Sequence, residues 1–157
     1  MTGVPQPGDV APDLELVDTH GTPVTLSGLR GTPVVLVFIP FAFSGTCRGE
    51  LCEIRDNIAA FDGAGVRVLA ISCDSTFTLR AWKEQESYGF DLLSDFWPHG
   101  EAARAYGVFD EAHGRPLRGS FLVDADGVAL TRHDVTGWAR PVSNRRPPRC
   151  KRGALTS

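Results

Sequence analysis

Residues 34–47 read VVLVFIPFAFSGTC, and this stretch decides the fold. Its first six residues are continuously apolar and mostly β-branched, as in a strand that is covered on both faces of a sheet. After the irregular segment 40–46, apolar residues recur at the three-and-four spacing of a helix with one buried stripe, at Leu51, Ile54, Ile58 and Phe61. We therefore predict a buried strand, a loop and a single helix that begins near Cys47.

The flanking sequence extends this unit into a sheet. Residues 66–71 form a second buried strand, so strand, helix and strand make a βαβ unit with two parallel strands. A helix, a short strand and a further helix are predicted next, at 74–88, 92–93 and 101–106. Hairpins are predicted near both ends, over 14–26 and 121–130. The expected fold class is α/β, with three layers, a mixed central β-sheet, flanking helices and an N-terminal β-hairpin.

Length and charge predict one domain and a tail. The chain has 157 residues, and we place the domain at 1–136 and a disordered Pro/Arg-rich tail at 137–157. The net charge is −3, but residues 140–152 hold six basic residues and no acid, so the rest carries 10 basic against 19 acidic residues. A body this acidic does not favour nucleic-acid binding.

The apolar run at 34–39 is far shorter than the roughly 20 residues that cross a bilayer, and the N-terminus lacks the features of a secretory signal. We expect a cytoplasmic protein without a membrane segment. The four cysteines include no C-x-x-C pair, and the histidines at 20, 99, 113 and 133 are widely spaced, so no metal site is expected.

Cys47 is the candidate nucleophile. It lies at the predicted first turn of a helix, where backbone amides without helical partners favour a negative charge. Such a position can lower the pKa of a thiol from about 8.5 to roughly 3.5–7.5, which makes it reactive near neutral pH.

The spacing of Pro40, Ser44 and Cys47, P-x-x-x-[TS]-x-x-C between a buried strand and a helix, resembles the signature of the peroxiredoxins. Four further blocks agree with that family, and together they resemble its alkyl hydroperoxide reductase E branch: 7–13, 49–56, 93–100 and 118–124. The resemblance covers about residues 7–132.

The resemblance implies a thioredoxin-like fold and the two-electron reduction of hydrogen peroxide or an organic hydroperoxide, an antioxidant activity that serves cell redox homeostasis. It implies no cofactor. The partners it implies are a peroxide, a thiol reductant and a second copy of the chain in a homodimer. The reductant would be thioredoxin, a glutaredoxin-like or mycoredoxin-like protein, or a low-molecular-weight thiol.

The candidate site residues have distinct roles. The Cys47 thiolate would attack a peroxide oxygen and become a sulfenic acid. Ser44 can donate a hydroxyl hydrogen bond, Arg118 supplies a permanent cation with several donors, and the backbone amide of Thr46 would complete the cradle. The resemblance assigns Pro40 the role of excluding water from the pocket.

Cys52 has two open interpretations. In peroxiredoxins similar to bacterioferritin comigratory protein, a cysteine five positions after the first resolves the sulfenic acid as an intramolecular disulfide, which implies this role for Cys52. In an ideal helix, Cα atoms five residues apart are about 8–9 Å apart, beyond the roughly 7 Å limit for a disulfide, so the helix would have to unwind. The alternative is a small apolar core residue, with an external thiol restoring Cys47.

Two other functions remain open. One is a thioredoxin-like disulfide reductase, although such enzymes normally separate their cysteines by two residues rather than four. The other is a redox sensor or chaperone that responds to oxidation of Cys47. The sequence after Arg132 also departs from the family pattern. Two explanations are open: a shifted reading frame, or a genuine basic tail that binds acidic partners.

Overall fold

The computed structural model describes residues 5–43, 51–52 and 54–133, with the backbone alone for 131–133. The strands in this part of the chain are β1 (Glu15–Val17), β2 (Pro23–Thr25), β3 (Val34–Phe38), β4 (Arg67–Ser72), β5 (Asp91–Ser94), β6 (Phe109–Asp110), β7 (Arg115–Pro116), β8 (Gly119–Val123) and β9 (Ala129–His133). The helices are α1 (Ile58–Gly63), α2 (Thr76–Glu86) and α3 (Glu101–Ala105), with a 3-10 turn at Ser27–Leu29. Residues 51–52 and 54–56 are also helical, and we call them the 51–56 segment.

Seven of these strands form one sheet in the order β2-β1-β5-β4-β3-β8-β9, and β6 pairs with β7 in a separate hairpin. The central strands β3, β4 and β5 are parallel, whereas β1 and β8 join them antiparallel. The predicted mixed sheet, with a parallel pair at its centre, is confirmed. The predicted hairpins are β1–β2 and β8–β9.

Successive β3 side chains point to opposite faces of the sheet, and each face is covered by a core cluster. Val34, Leu36 and Phe38 pack into one core cluster with Tyr106, the residue that follows α3 in the chain. Val35, Val37 and Ile39 pack into a second cluster with residues of α2 and of the 51–56 segment. All six side chains are at most 4% exposed, as the continuous apolar run predicts for a strand buried on both faces.

The prediction of one unbroken helix through Phe61 is wrong. Helical structure stops at Asn57, whose φ of −112° and ψ of 14° lie outside the helical region, and α1 begins at the next residue. The Asn57 amide donates to the carbonyl of Ile54, three residues back, as in a tight turn. Asparagine favours such breaks because its side chain competes with helical backbone bonds. Whether the helix begins near Cys47 falls outside the described residues.

The helix predicted over 74–88 is α2, which begins at Thr76 after an N-cap at Ser75. The Ser75 side chain accepts a hydrogen bond of 3.2 Å from the Thr78 amide. Its last residue is Glu86, however, because Ser87 already adopts a left-handed conformation with φ of 57°, two residues before Gly89. This early end positions the Glu86 and Tyr88 side chains for the contacts described below.

The β6–β7 hairpin has no counterpart in the sequence prediction. Each of its strands has two residues, too few to show an alternating pattern. None of the helices in residues 5–43, 51–52 and 54–133 has the length and apolar character needed to span a membrane. The predicted tail at 137–157 lies outside the described residues.

Candidate active site

The candidate site lies at the edge of the sheet where the parallel strands β3, β4 and β5 reach their carboxyl ends. In open α/β sheets this edge commonly holds the functional site. Pro40 follows β3 by two residues and is half-buried. Arg118, also half-buried, comes directly before β8. Because Phe38 pairs with Gly119, Arg118 comes next to the end of β3 that leads to Pro40.

Asp74 holds the backbone that follows Pro40. Its Oδ2 accepts a hydrogen bond of 2.7 Å from the Ala42 amide and another of 2.8 Å from the Ser72 hydroxyl. The backbone carbonyl of Asp74 in turn accepts a hydrogen bond of 2.6 Å from the Ser94 hydroxyl. The ends of β4 and β5 therefore anchor the start of the loop that follows β3. The link between Asp74 and Ala42, which are 32 residues apart, left no local signal in the sequence.

Aromatic side chains support the same loop. The Phe43 ring lies 5.9 Å from the ring of the fully buried Trp82, measured between centroids. The Arg115 guanidinium lies 5.3 Å from the centroid of the Phe41 ring. The chain that leads to Arg118 therefore runs beside the loop that leads to Cys47.

Cys52 is a core residue whose sulfur is also oxidised in a disulfide bond. Its side chain is 1% exposed within the second core cluster. It is also disulfide-bonded. Its Sγ lies 4.0 Å from Oε1 of Glu86 and 3.9 Å from the hydroxyl of Tyr88. Neither neighbour was singled out from the sequence, because both contacts join segments more than 30 residues apart.

Cys73 is a free, buried thiol at the carboxyl end of β4. Burial, with the nearby Asp95 and Asp74 carboxylates, raises its pKa to about 12. A thiol with that pKa stays protonated at neutral pH, so Cys73 is poorly suited to nucleophilic attack.

Comparison with known proteins identifies the family. The model of the AhpC/TSA family matches residues 7–130. The chain belongs to this family. It is therefore a peroxiredoxin, as its similarity to alkyl hydroperoxide reductase E from Mycobacterium tuberculosis also indicates: 47% identity over 122 residues, 77% of this chain and 80% of the relative.

Two further relatives of this peroxiredoxin agree. Peroxiredoxin Bcp from Escherichia coli is 38% identical over 128 residues, 76% of this chain and 80% of the relative. The crystal structure of peroxidoxin BcpB from Mycobacterium tuberculosis superposes with a TM-score of 0.79 at 32% identity, covering 85% of this chain and 88% of that one. The predicted thioredoxin-like fold is confirmed.

Pro40, Cys52 and Arg118 are the predicted site residues of this peroxiredoxin that lie in the described part of the chain. Ser44, Thr46 and Cys47 lie outside the described residues. In the described part of the chain, no group of three or more His, Cys, Asp or Glu side chains is arranged to hold a metal ion.

Replacing Asp74 with alanine should weaken the anchor of the loop. Losing a carboxylate that accepts two hydrogen bonds should lower the free energy of unfolding by about 1–3 kcal/mol. Peroxide consumption should also slow, by roughly tenfold, because the loop that leads to Cys47 would be less well positioned. Urea unfolding and a peroxide assay would measure the two effects. Asp62→Ala, an exposed carboxylate in α1, is the control, and equal losses in both variants would contradict the anchoring role.

Proposed function

We propose that this peroxiredoxin is a thiol peroxidase in which Cys47 reduces hydrogen peroxide and organic hydroperoxides. The observation that carries the proposal is the pairing of β3 with β8, which brings Arg118 beside the chain that runs through Pro40 toward Cys47. A cation at this position would favour the thiolate over the thiol.

The proposed reaction is a direct displacement. The Cys47 thiolate donates an electron pair to one peroxide oxygen, an S–O bond forms, and the O–O bond breaks. The second oxygen leaves with the displaced electron pair and takes up a proton, giving water or an alcohol. Cys47 is oxidised to the sulfenic acid and the peroxide is reduced by two electrons.

The other site residues would stabilise the charge that spreads over sulfur and two oxygens. Arg118 and the Ser44 hydroxyl would donate hydrogen bonds to these atoms, together with the Thr46 amide. Pro40 carries no amide hydrogen and would limit the access of water to the thiolate. Hydrogen-bond donors already aimed at the developing charge are usually the largest single source of acceleration.

We further propose that Cys52 resolves the sulfenic acid. Its disulfide-bonded state supports this role. We propose Cys47 as the partner in this disulfide, because it is five residues away and carries the oxidised sulfur. A cytoplasmic thiol reductant would then reduce the disulfide, and a homodimer is the proposed assembly.

A turnover assay tests the proposal against its rivals. With hydrogen peroxide, an organic hydroperoxide and thioredoxin or a low-molecular-weight thiol in excess, many peroxides should be consumed per chain. Oxidation of the thiols by one equivalent of peroxide, followed by mass spectrometry, should show a loss of two hydrogens. A sensor would stop after one peroxide, and reduction of insulin disulfides without peroxide consumption would indicate a disulfide reductase.

A further inference from the structure

The Cys52 sulfur is disulfide-bonded in this structure, and its surroundings would oppose its ionisation once it is a free thiol. Its side chain is 1% exposed, and those of Glu86 and Tyr88 are 2% and 3% exposed. Burial opposes the thiolate, since a charge removed from water is costly without compensation. A deprotonated Cys52 beside a charged Glu86 would place two negative charges in one buried site. The proton of Cys52 therefore needs a nearby acceptor.

Glu86 is the acceptor that the geometry offers. Its Oε1 lies 4.0 Å from the Cys52 Sγ, at the long end of contacts to sulfur. Its Oε2 accepts a hydrogen bond of 3.2 Å from Gln85 Nε2. The Arg55 guanidinium donates a hydrogen bond of 2.6 Å to the backbone carbonyl of Glu86, which connects the end of α2 to the 51–56 segment. Gln85 thus contacts the Glu86 carboxylate, and Arg55 contacts the backbone of the same residue.

We propose that Glu86 is the general base that accepts the Cys52 proton when Cys52 resolves the oxidised Cys47. This inference rests on the proposed function, in which Cys52 is the resolving cysteine. Transfer of the proton from thiol to carboxylate keeps the total charge of the buried pair at −1. The burial penalty of forming a thiolate is therefore met by neutralising the carboxylate.

The proposed step forms the disulfide and releases one water. The proton of Cys52 passes to Glu86, and the Cys52 sulfur donates an electron pair to the sulfenic sulfur of Cys47. The S–S bond forms as the S–O bond breaks, and the leaving hydroxide takes the proton from Glu86 to become water. Cys52 is oxidised, the sulfur of Cys47 is reduced from the sulfenic level, and Glu86 returns to its carboxylate form.

The described groups that face Cys52 also determine how the step depends on pH. They are Glu86 and Tyr88 from the end of α2 and the residues after it, with Arg55 one turn away on the 51–56 segment. Because the proton passes from Cys52 to Glu86 within the site, the proposed step needs no prior loss of a proton to solvent, and its rate should depend only weakly on pH. A thiol without a base would instead react about tenfold faster for each pH unit below its usual pKa of about 8.5.

Glu86→Gln is the decisive variant, because it keeps the size of the side chain and removes the base. Stopped-flow fluorescence should resolve two phases, of which only the first depends on peroxide concentration, and mass spectrometry of quenched samples should assign them to sulfenic acid and disulfide. We expect Glu86→Gln to leave the first phase unchanged and to slow the second by about 10²-fold or more at pH 7.

Glu84→Gln is the matched control, since Glu84 is on the same helix with a side chain 73% exposed. It should match the wild-type protein in both phases. Should Glu86→Gln fail to fold, the wild-type second phase still tests the inference: its rate should change less than about twofold between pH 6 and 8. A wild-type rate that rises about tenfold per pH unit, or a Glu86→Gln protein with an unchanged second phase, would overturn the role of Glu86.

Failure of the proposed function would look different. Without a peroxide-dependent first phase, the chain would not be a peroxidase. A first phase that is not followed by loss of two hydrogens would leave the peroxidase intact and remove both the resolving role of Cys52 and the role of Glu86.

Discussion

Cys47→Ser should abolish peroxide turnover, with a loss on the order of 10³-fold or more. A serine hydroxyl is almost fully protonated at neutral pH, whereas a cysteine at a helix N-terminus can be largely ionised, so the variant lacks the nucleophile. Peroxide consumption with excess thiol reductant measures the loss. Mass spectrometry should show no sulfenic acid and no loss of two hydrogens in the variant after peroxide treatment.

Cys150→Ser is the matched control for that experiment, because it makes the same chemical change outside the family match at residues 7–130. It should retain wild-type turnover. Retained activity in Cys47→Ser, or its loss in Cys150→Ser, would move the peroxidatic role away from Cys47.

Arg118→Met should have the second largest effect. Methionine approximates the length of the arginine stem but carries no charge and no strong donors, so both the thiolate and the transition state lose stabilisation. Removing one such donor typically costs 10²- to 10³-fold in rate, and we expect about that reduction in kcat/KM for peroxide. The midpoint of the pH profile for Cys47 alkylation should also move to higher pH, because the cation no longer favours the thiolate.

The control for Arg118 is Arg80→Met, an exposed arginine on α2 whose side chain is 51% accessible. It should leave kcat/KM and the alkylation profile unchanged. If Arg118→Met lowered kcat/KM without moving the alkylation profile, the arginine would act on the peroxide oxygens rather than on the thiolate. An unchanged kcat/KM would exclude both roles.

Much of the sheet could be predicted because its signals are local. The run at 34–39 and the strand at 66–71 are each long and apolar, and a strand–helix–strand order pairs them in parallel. The Asp-Gly turn of the β8–β9 hairpin is equally short-range. Asn57, by contrast, interrupts a periodicity that continues across it, so the apolar pattern alone predicted one helix where the structure has two segments.

For the candidate site, too, some residues could be predicted from the sequence, whereas their neighbours could not. The sequence by itself determined Pro40, Ser44 and Cys47 as a motif, since these residues share one short segment, and it singled out Arg118 through a resemblance. Only the tertiary structure decided what surrounds them. Asp74 reaches Ala42, and Glu86 reaches Cys52, across 32 and 34 residues. Such contacts depend on strand order and helix ends, which no spacing along the chain encodes.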